Sequence, residues 1–399
     1  MFADFKFALR SLAKSPSFTA IAVFTLALAI GVNSAIFALV HSLILRPLVP
    51  LRPAEVVNVF SARQGASKDY RSFSYAEYLA LREAKDVFAD VAAVQFNAVG
   101  VGRDDGIRRS FAFFTSENFF ALCGVAPALG RFYSAEECRP NANLPVIVTS
   151  YAFWQRAGGR PDFLGSTLHV NGRDYTVIGV TARGFGGLNA VISPDLWLPF
   201  GIYAQFTEPF GAAAGITDLK QPKNYVLNIT ARLAPGVTLD SLGARLPAVA
   251  KRLTALQPAD APSERELQAE SPARFNLSTA PSDEGPLTFL ALAPLAMAGA
   301  VLLIASLNLA NMLLARGTAL LKEIARLRSR GASRWRIVRQ LLAEGLLLAF
   351  AGGALGLLFA LWSNDLFLAS LGTIFRSMNL ALTLDLQPSA LVLGVTFLF

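Results

Sequence analysis

The sequence is poor in charge, histidine and cysteine. Charged residues make up 16% of its 399 positions and hydrophobic residues 53%, where soluble domains carry about 25% charged residues. That balance excludes an ordinary cytosolic enzyme. The two histidines, His41 and His169, have no second ligand nearby at metal-binding spacing, so both read as structural. No Gly-x-x-x-x-Gly-Lys-Ser/Thr occurs, and no Lys-Ser/Thr follows Gly184-Phe185-Gly186-Gly187, so no nucleotide-phosphate loop is present. No catalytic, cofactor-binding or metal-ligating residue is expected. Any ATP chemistry falls to another subunit.

The net charge sits in two places. Residues 1–16 hold Lys6, Arg10 and Lys14 against Asp4, and residues 316–339 hold eight Arg or Lys against Glu323 alone, which together make +9 against a net +8 for the whole chain. The remainder is near neutral, which excludes a nucleic-acid-binding face. Both basic segments flank apolar stretches. Phe18 to Val40 carries no charge over 23 positions, about 35 Å as a helix, enough for a hydrocarbon core of about 30 Å. It is too long for the apolar region of a cleaved signal peptide, and no small-x-small cleavage site precedes Arg46-Pro47. Leu287 to Leu314 is a second run and Gly345 to Leu361 a third; Ser389 to Phe399 begins a fourth, so a longer protein is expected.

Because basic loops resist translocation, the N-terminus and the 316–339 loop both belong in the cytoplasm. That parity requires one helix out, one back and a third out, with residues from about 47 to 285 outside. Phe2, Phe5, Leu9 and Leu12 form a stripe opposite Lys6, Arg10 and Lys14, the pattern of a short helix lying on lipid and ending near Pro16.

The outer segment has globular composition and is long enough to bury a core. Ser74 with Glu77 forms a capping box that opens a helix through Tyr78 and Leu81. Pro145 to Thr149 and Tyr225 to Leu233 read as strands. Between Thr167 and Ile178, Asn171-Gly172 separates two strand-like runs, and both residues tolerate the positive φ of a tight hairpin. Pro235-Gly236 makes a turn, and Thr238 caps a helix carrying Leu242, Leu246, Val249 and Leu253. Gln257 to Gly285 reads as a connector. Without a regular β-α period, the expectation is an α+β fold, with room for two lobes. Cys123 and Cys138 lie on the oxidising side, where a disulfide is allowed and separate thiols are equally compatible with the spacing.

Read together, the segments resemble the permease subunits of the MacB/FtsX class of ABC transporters, and more narrowly the duplicated MacB-like permeases of acidobacteria. The N-terminal likeness runs from Leu9-Arg10-Ser11-Leu12 through Ala35-Ile36-Phe37 to Leu45-Arg46-Pro47-Leu48. Asn118-Phe119-Phe120-Ala121-Leu122, Pro127-Ala128-Leu129-Gly130-Arg131, Ser150-Tyr151-Ala152-Phe153-Trp154 and Val177-Ile178-Gly179-Val180 look like that family's periplasmic core domain. Gly331-Ala332-Ser333-Arg334 and Gln340-Leu341-Leu342-Ala343-Glu344 look like the start of its permease domain.

The resemblance implies an α-helical integral membrane protein of three full membrane helices and the start of a fourth, with a large α+β extracytoplasmic domain. The expected divisions are an interfacial helix over 1–16, a first membrane helix over 17–46, a periplasmic core domain over 47–285 and an FtsX-like permease domain over 286–399 containing a coupling loop at 315–340. It further implies a multi-pass protein of the bacterial inner membrane, N-terminus inside. The implied partners are a cytoplasmic ABC ATPase, membrane lipid, a second permease as homo- or heterodimer, and a periplasmic substrate or protein. Its implied function is mechanotransmission, the relay of ATP-driven motion to the periplasmic domain for export or extraction. The alternative is an FtsX-like scaffold regulating an envelope enzyme.

The implied ATPase-coupling residues are Lys322, Glu323, Ile324, Arg326, Arg330, Gly331, Ala332 and Arg334. Here the sequence departs from the family: Arg326, Arg328 and Arg330 stand where the family has apolar residues, so either the partner surface is acidic or this copy couples poorly. Gly331 has the place of a helix end, dividing the loop into two short helices. Gly352 and Gly356, four apart on one face, are expected to let the third membrane helix pack closely on another.

Overall fold

The structure is a computed structural model and describes residues 2–41, 49, 51–65, 69–103, 106–189, 193–206, 218–258, 264–273, 279–281, 285–319 and 334–377. Along the chain the elements begin with α1 (Phe2–Ala13) and α2 (Pro16–Val40), then β1 (Val56–Arg63), β2 (Tyr70–Arg71), α3 (Tyr75–Glu83), β3 (Phe88–Val101) and β4 (Arg108–Thr115). They continue with α4 (Phe119–Cys123), β5 (Pro127–Gly130), α5 (Ala135–Cys138), β6 (Val146–Thr149), α6 (Tyr151–Arg156), β7 (Thr167–Val170), β8 (Arg173–Thr181) and β9 (Leu196–Pro199). The last are β10 (Asn228–Leu233), α7 (Leu239–Leu242), α8 (Leu246–Thr254), β11 (Arg265–Glu270), α9 (Gly285–Ala319) and α10 (Arg334–Ser377). Two units result, a helical one from Met1–Leu45 with Gly285–Ser370 and a sheet one from Arg46–Glu284.

In the helical unit three helices are long and apolar enough to cross a membrane: Pro16–Val40, Leu292–Met312 and Leu342–Ser363. The first starts two residues before the apolar run because Pro16 occupies the opening turn, where its missing N–H costs nothing. The expected lipid-facing stripe of α1 divides: Leu9 is 62% exposed, but Leu12 is buried in a cluster with Ala22, Leu26, Ile30 and Leu348. The turn between α1 and α2 explains this, since Thr19 Oγ1 donates to the Leu12 carbonyl at 2.8 Å and holds Leu12 against α2. The fourth run, Ser389 to Phe399, lies outside the described residues.

The sheet unit is a mixed sheet in the order β11-β1-β10-β3-β4-β9-β6-β8-β5, with β2 on β1. Strand β7 pairs with both β3 and β8, so β3, β4, β9, β6, β8 and β7 close into a ring. Alternation along β3 supplies two cores. Val91, Ala93 and Val99 join Phe114, Leu198 and Tyr203, with α3 contributing Tyr78 and Leu81 and α8 Val249 and Leu253. Ala92, Val94 and Phe96, from the other face, pack with Phe113, Phe119, Phe120 and Trp197. Each fully buried large side chain contributes about 1.5–3 kcal/mol.

The hairpin forms as read. Asn171 (φ 47°) and Gly172 (φ 79°) both sit in the left-handed region, and Thr167–Val170 pairs antiparallel with Arg173–Thr176. Asn171 also accepts the Gly100 N–H on its Oδ1 at 2.7 Å, which fastens the turn to β3. The Ser74–Glu77 capping box is present. The helix expected after Thr238 is instead two, α7 and α8, because Pro247 lacks an amide proton and opens a new first turn. Strand β10 starts at Asn228, three residues later than the apolar pattern. The connector expected from Gln257 to Gly285 contains β11, whose Arg-Glu-Leu-Gln-Ala-Glu sequence has little strand preference and is held by six pairings to β1.

Candidate coupling site

The glycines singled out on α10 lie against α2. A Cβ at Gly352 would stand 2.6 Å from Leu26 Cβ, and one at Gly356 would stand 2.9 Å from the Ala27 carbonyl oxygen and 3.1 Å from Ile30 Cβ. The contact is two-sided, since a Cβ at Gly31 of α2 would meet Phe359 at 2.7 Å and the Gly356 oxygen at 2.9 Å. Sequence reasoning missed Gly31. Its signal was available in Ala27 and Gly31, two small residues four apart on the facing helix. Asn33, buried in α2 beside Ser34, donates to the Ala29 carbonyl of its own helix at 2.9 Å.

Lys322, Glu323, Ile324, Arg326, Arg330, Gly331 and Ala332 lie outside the described residues. Arg334 is the first residue of α10.

Where the chain enters the sheet unit, it is tightly fastened. Val49 is buried, and Leu51 lies against Gly124, where a Cβ would come within 2.2 Å of Leu51 Cβ. Gly124 also needs its φ of +71° to end α4. Arg232 of β10 donates to the carbonyls of Leu51 at 3.0 Å, Leu122 at 2.5 Å and Arg52 at 3.4 Å, and pairs with Glu55 at 3.2 Å. One guanidinium thus joins the entering segment to α4 and β10. The exit lies beside the entry: β11 is antiparallel to β1, with Asn58 opposite Glu270 and Arg63 opposite Arg265. Arg265, itself buried, donates to Ser61 Oγ at 3.1 Å and to the Ser61 carbonyl at 2.6 Å. The chain therefore enters and leaves at one end of a single strand pair.

Two further loops share one construction. Arg71 grips Glu77, and Arg131 grips Glu137, each with both guanidinium nitrogens, while Ser74 and Ser134 cap the helix between. The second was overlooked in the sequence although its Ser-x-x-Glu spacing equals the first. Hydrogen bonds from Arg131, opposed in part by burial, hold the Glu137 carboxyl below the usual carboxylate range.

The cysteines are free and buried. Burial pushes the Cys123 thiol up to about 12, so it is protonated at neutral pH. His169 Nδ1 lies 2.7 Å from Asp174. Among the described residues no group of three His, Cys, Asp or Glu is arranged to hold a metal.

Residues 19–249 match the family described as MacB-like periplasmic core domain, and residues 295–399 match the FtsX-like permease C-terminal family. No curated protein matches the chain. Among solved structures, the periplasmic region of MacB from Actinobacillus actinomycetemcomitans is similar at 13% identity and a TM-score of 0.40, over 56% of this chain and 94% of that one. The extracellular domain of the ABC-type transporter YknZ from Gram-positive bacteria is similar at 13% identity and a TM-score of 0.38, over 54% of this chain and 99% of that one. A domain of a putative permease protein from Porphyromonas gingivalis is similar at 17% identity and a TM-score of 0.40, over 59% and 97%.

Proposed function

Because the matched segments span most of its length, this chain belongs to the MacB/FtsX-like family of ABC transporter permeases, and we propose that it is a non-catalytic mechanotransmission subunit. In this reading a separate cytoplasmic ATPase docks on the loop around Lys322 to Arg334 and drives α9 and α10. The motion reaches a periplasmic domain spanning about 47–285, which exports or extracts its substrate. The permease works as a dimer in the inner membrane, N-terminus inside.

The observation that carries the reading is the pairing of β1 with β11. A displacement of either lead is delivered to two strands already hydrogen-bonded to each other, and Arg232 passes it to β10 and α4. Both basic segments, placed on one side by the positive-inside rule, support the orientation. The fourfold-spaced glycines support a rigid α2–α10 pair that moves as one.

The test is affinity purification of the tagged chain from native membrane, with mass spectrometry of what accompanies it and ATP hydrolysis measured on the eluate. An ABC ATPase in stoichiometric amount is the expected result. Its absence under conditions that keep the permease folded counts against the reading.

A further inference from the structure

The sheet unit contains a cleft that the coupling reading does not use. It lies on the sheet face that carries Val94, Phe113 and Trp197, across β1, β10, β3, β4 and β9. Its floor is aromatic, formed by Phe60, Phe113, Phe119 and Trp197, all buried. The Trp197 indole nitrogen is enclosed without a hydrogen-bond partner among the described residues.

Apart from Arg71 the described polar lining is neutral, and three of its groups keep free hydrogen-bonding capacity. Thr230 Oγ1 donates to Asn58 Oδ1 at 2.9 Å, which leaves Asn58 Nδ2 without an acceptor among the described residues. Neither the Asn228 amide nor the Ser72 hydroxyl has a side-chain partner among them. Arg71 is the one charged residue among the described lining residues. Its guanidinium is taken up by both Glu77 oxygens at 2.7 and 2.9 Å, by the Ser72 carbonyl at 3.0 Å and by stacking 3.8 Å from the Tyr225 ring centroid. A charged ligand would therefore lose water and gain no counter-ion from the described lining.

Geometry narrows the chemistry further. Asn58 stands opposite Thr230 in the β1–β10 register, so Asn228, two residues along on the same face, is diagonal to Asn58 at about 7–8 Å. A trans amide presents its C=O and N–H on opposite sides. The C=O can accept from Asn58 Nδ2 while the N–H donates to Asn228 Oδ1, with an apolar substituent on the aromatic floor. A ketone or an ester, which has no donor, would satisfy Asn58 Nδ2 only.

We propose that this cleft binds an uncharged secondary amide bearing an apolar substituent, such as the backbone of a neutral peptide or the acetamido group of an amino sugar. The inference goes beyond the coupling role and stands on different residues.

The test is isothermal titration of the full chain in detergent with two neutral probes, N-acetyl-phenylalaninamide and tri-N-acetylchitotriose. Their controls are N-acetyl-phenylalanine, which carries a carboxylate, and cellotriose, which lacks the amide. At least one neutral probe should bind saturably, its control at least tenfold more weakly, and the probe that binds identifies the source. The double variant Thr230→Val/Asn228→Ala should lose at least tenfold in affinity with its thermal transition retained. Should that variant fail to fold, Asn228→Ser, at a half-exposed position, carries the same expectation. No binding of either probe, equal binding of a control, or undiminished binding by the variant would overturn the proposal.

Discussion

Gly352 faces Leu26 so closely that a Cβ on the glycine would stand 2.6 Å from that of the leucine, inside any tolerable carbon–carbon contact. The double variant Gly352→Leu/Gly356→Leu must push α10 off α2. Overpacking of this kind costs about 1–3 kcal/mol, while added leucine leaves membrane insertion intact. A lowered unfolding midpoint in detergent, with unchanged membrane yield, is the expected result; an unchanged midpoint removes the packing role.

Replacing Asn171-Gly172 by Val-Val places two β-branched residues at positive φ and deletes the bond from Gly100 N–H to Asn171 Oδ1. The two conformational penalties are about 1–2 kcal/mol each and the hydrogen bond about 1 kcal/mol. The thermal midpoint of the sheet unit should fall accordingly. A variant as stable as the parent refutes the fastening of the turn to β3.

Acid should weaken the sheet unit through Glu137. Its carboxyl titrates lower in the folded chain than the ordinary 4.5, because Arg131 bonds its ionised form. The stabilisation is complete above the unfolded value and disappears as pH falls from 4.5 through the lower native value. Glu137→Gln should therefore flatten the decline of the thermal midpoint over that acid range. Equal slopes for parent and variant would remove the pair from the account.

Arg232→Ala strands three carbonyls and Glu55, a loss of about 2–3 kcal/mol for charge-assisted bonds. Amide exchange over the entering segment should accelerate more than exchange in β6 or β8. Uniform acceleration would mean that Arg232 supports general stability rather than the entry.

Gly331→Leu, with every arginine retained, tests the proposed docking loop. Orientation depends on charge and should survive, whereas ATP hydrolysis stimulated by the cognate ATPase should drop severalfold. Full stimulation reduces the loop to a topology anchor.

Local chemistry was readable where it acts alone. Ser74 with Glu77, Asn171 with Gly172 and the apolar run from Phe18 each carry their instruction within a few residues. Strand β11 does not, because Glu266, Gln268 and Glu270 adopt a strand only when β1 supplies the pairing, some two hundred residues away. The side of α1 that packs was hidden for a similar reason: Leu9 and Leu12 share one stripe, and only the turn at Thr19 decides that Leu12 is covered. For the site, the spacing of Gly352 and Gly356 was visible, whereas Arg232 reads as an ordinary strand arginine until its three carbonyl partners are brought together.

The distance in sequence between β1 and its neighbours also has a cost in time. Val59 pairs with Ile229 and Ala269, so about 170 further residues must be made before β1 gains a first long-range neighbour. At ribosomal rates of about 5–20 residues per second that is roughly 10–30 seconds. Throughout that interval β2 can cover only Ser61 and Ala62, so Val56, Val57, Val59 and Phe60 present an apolar strand with open edges, the form most prone to mispairing. The newborn domain is thus exposed to aggregation longest at the strand through which its finished form is fastened, and slowing synthesis between residues 60 and 230 should lower the yield of folded protein.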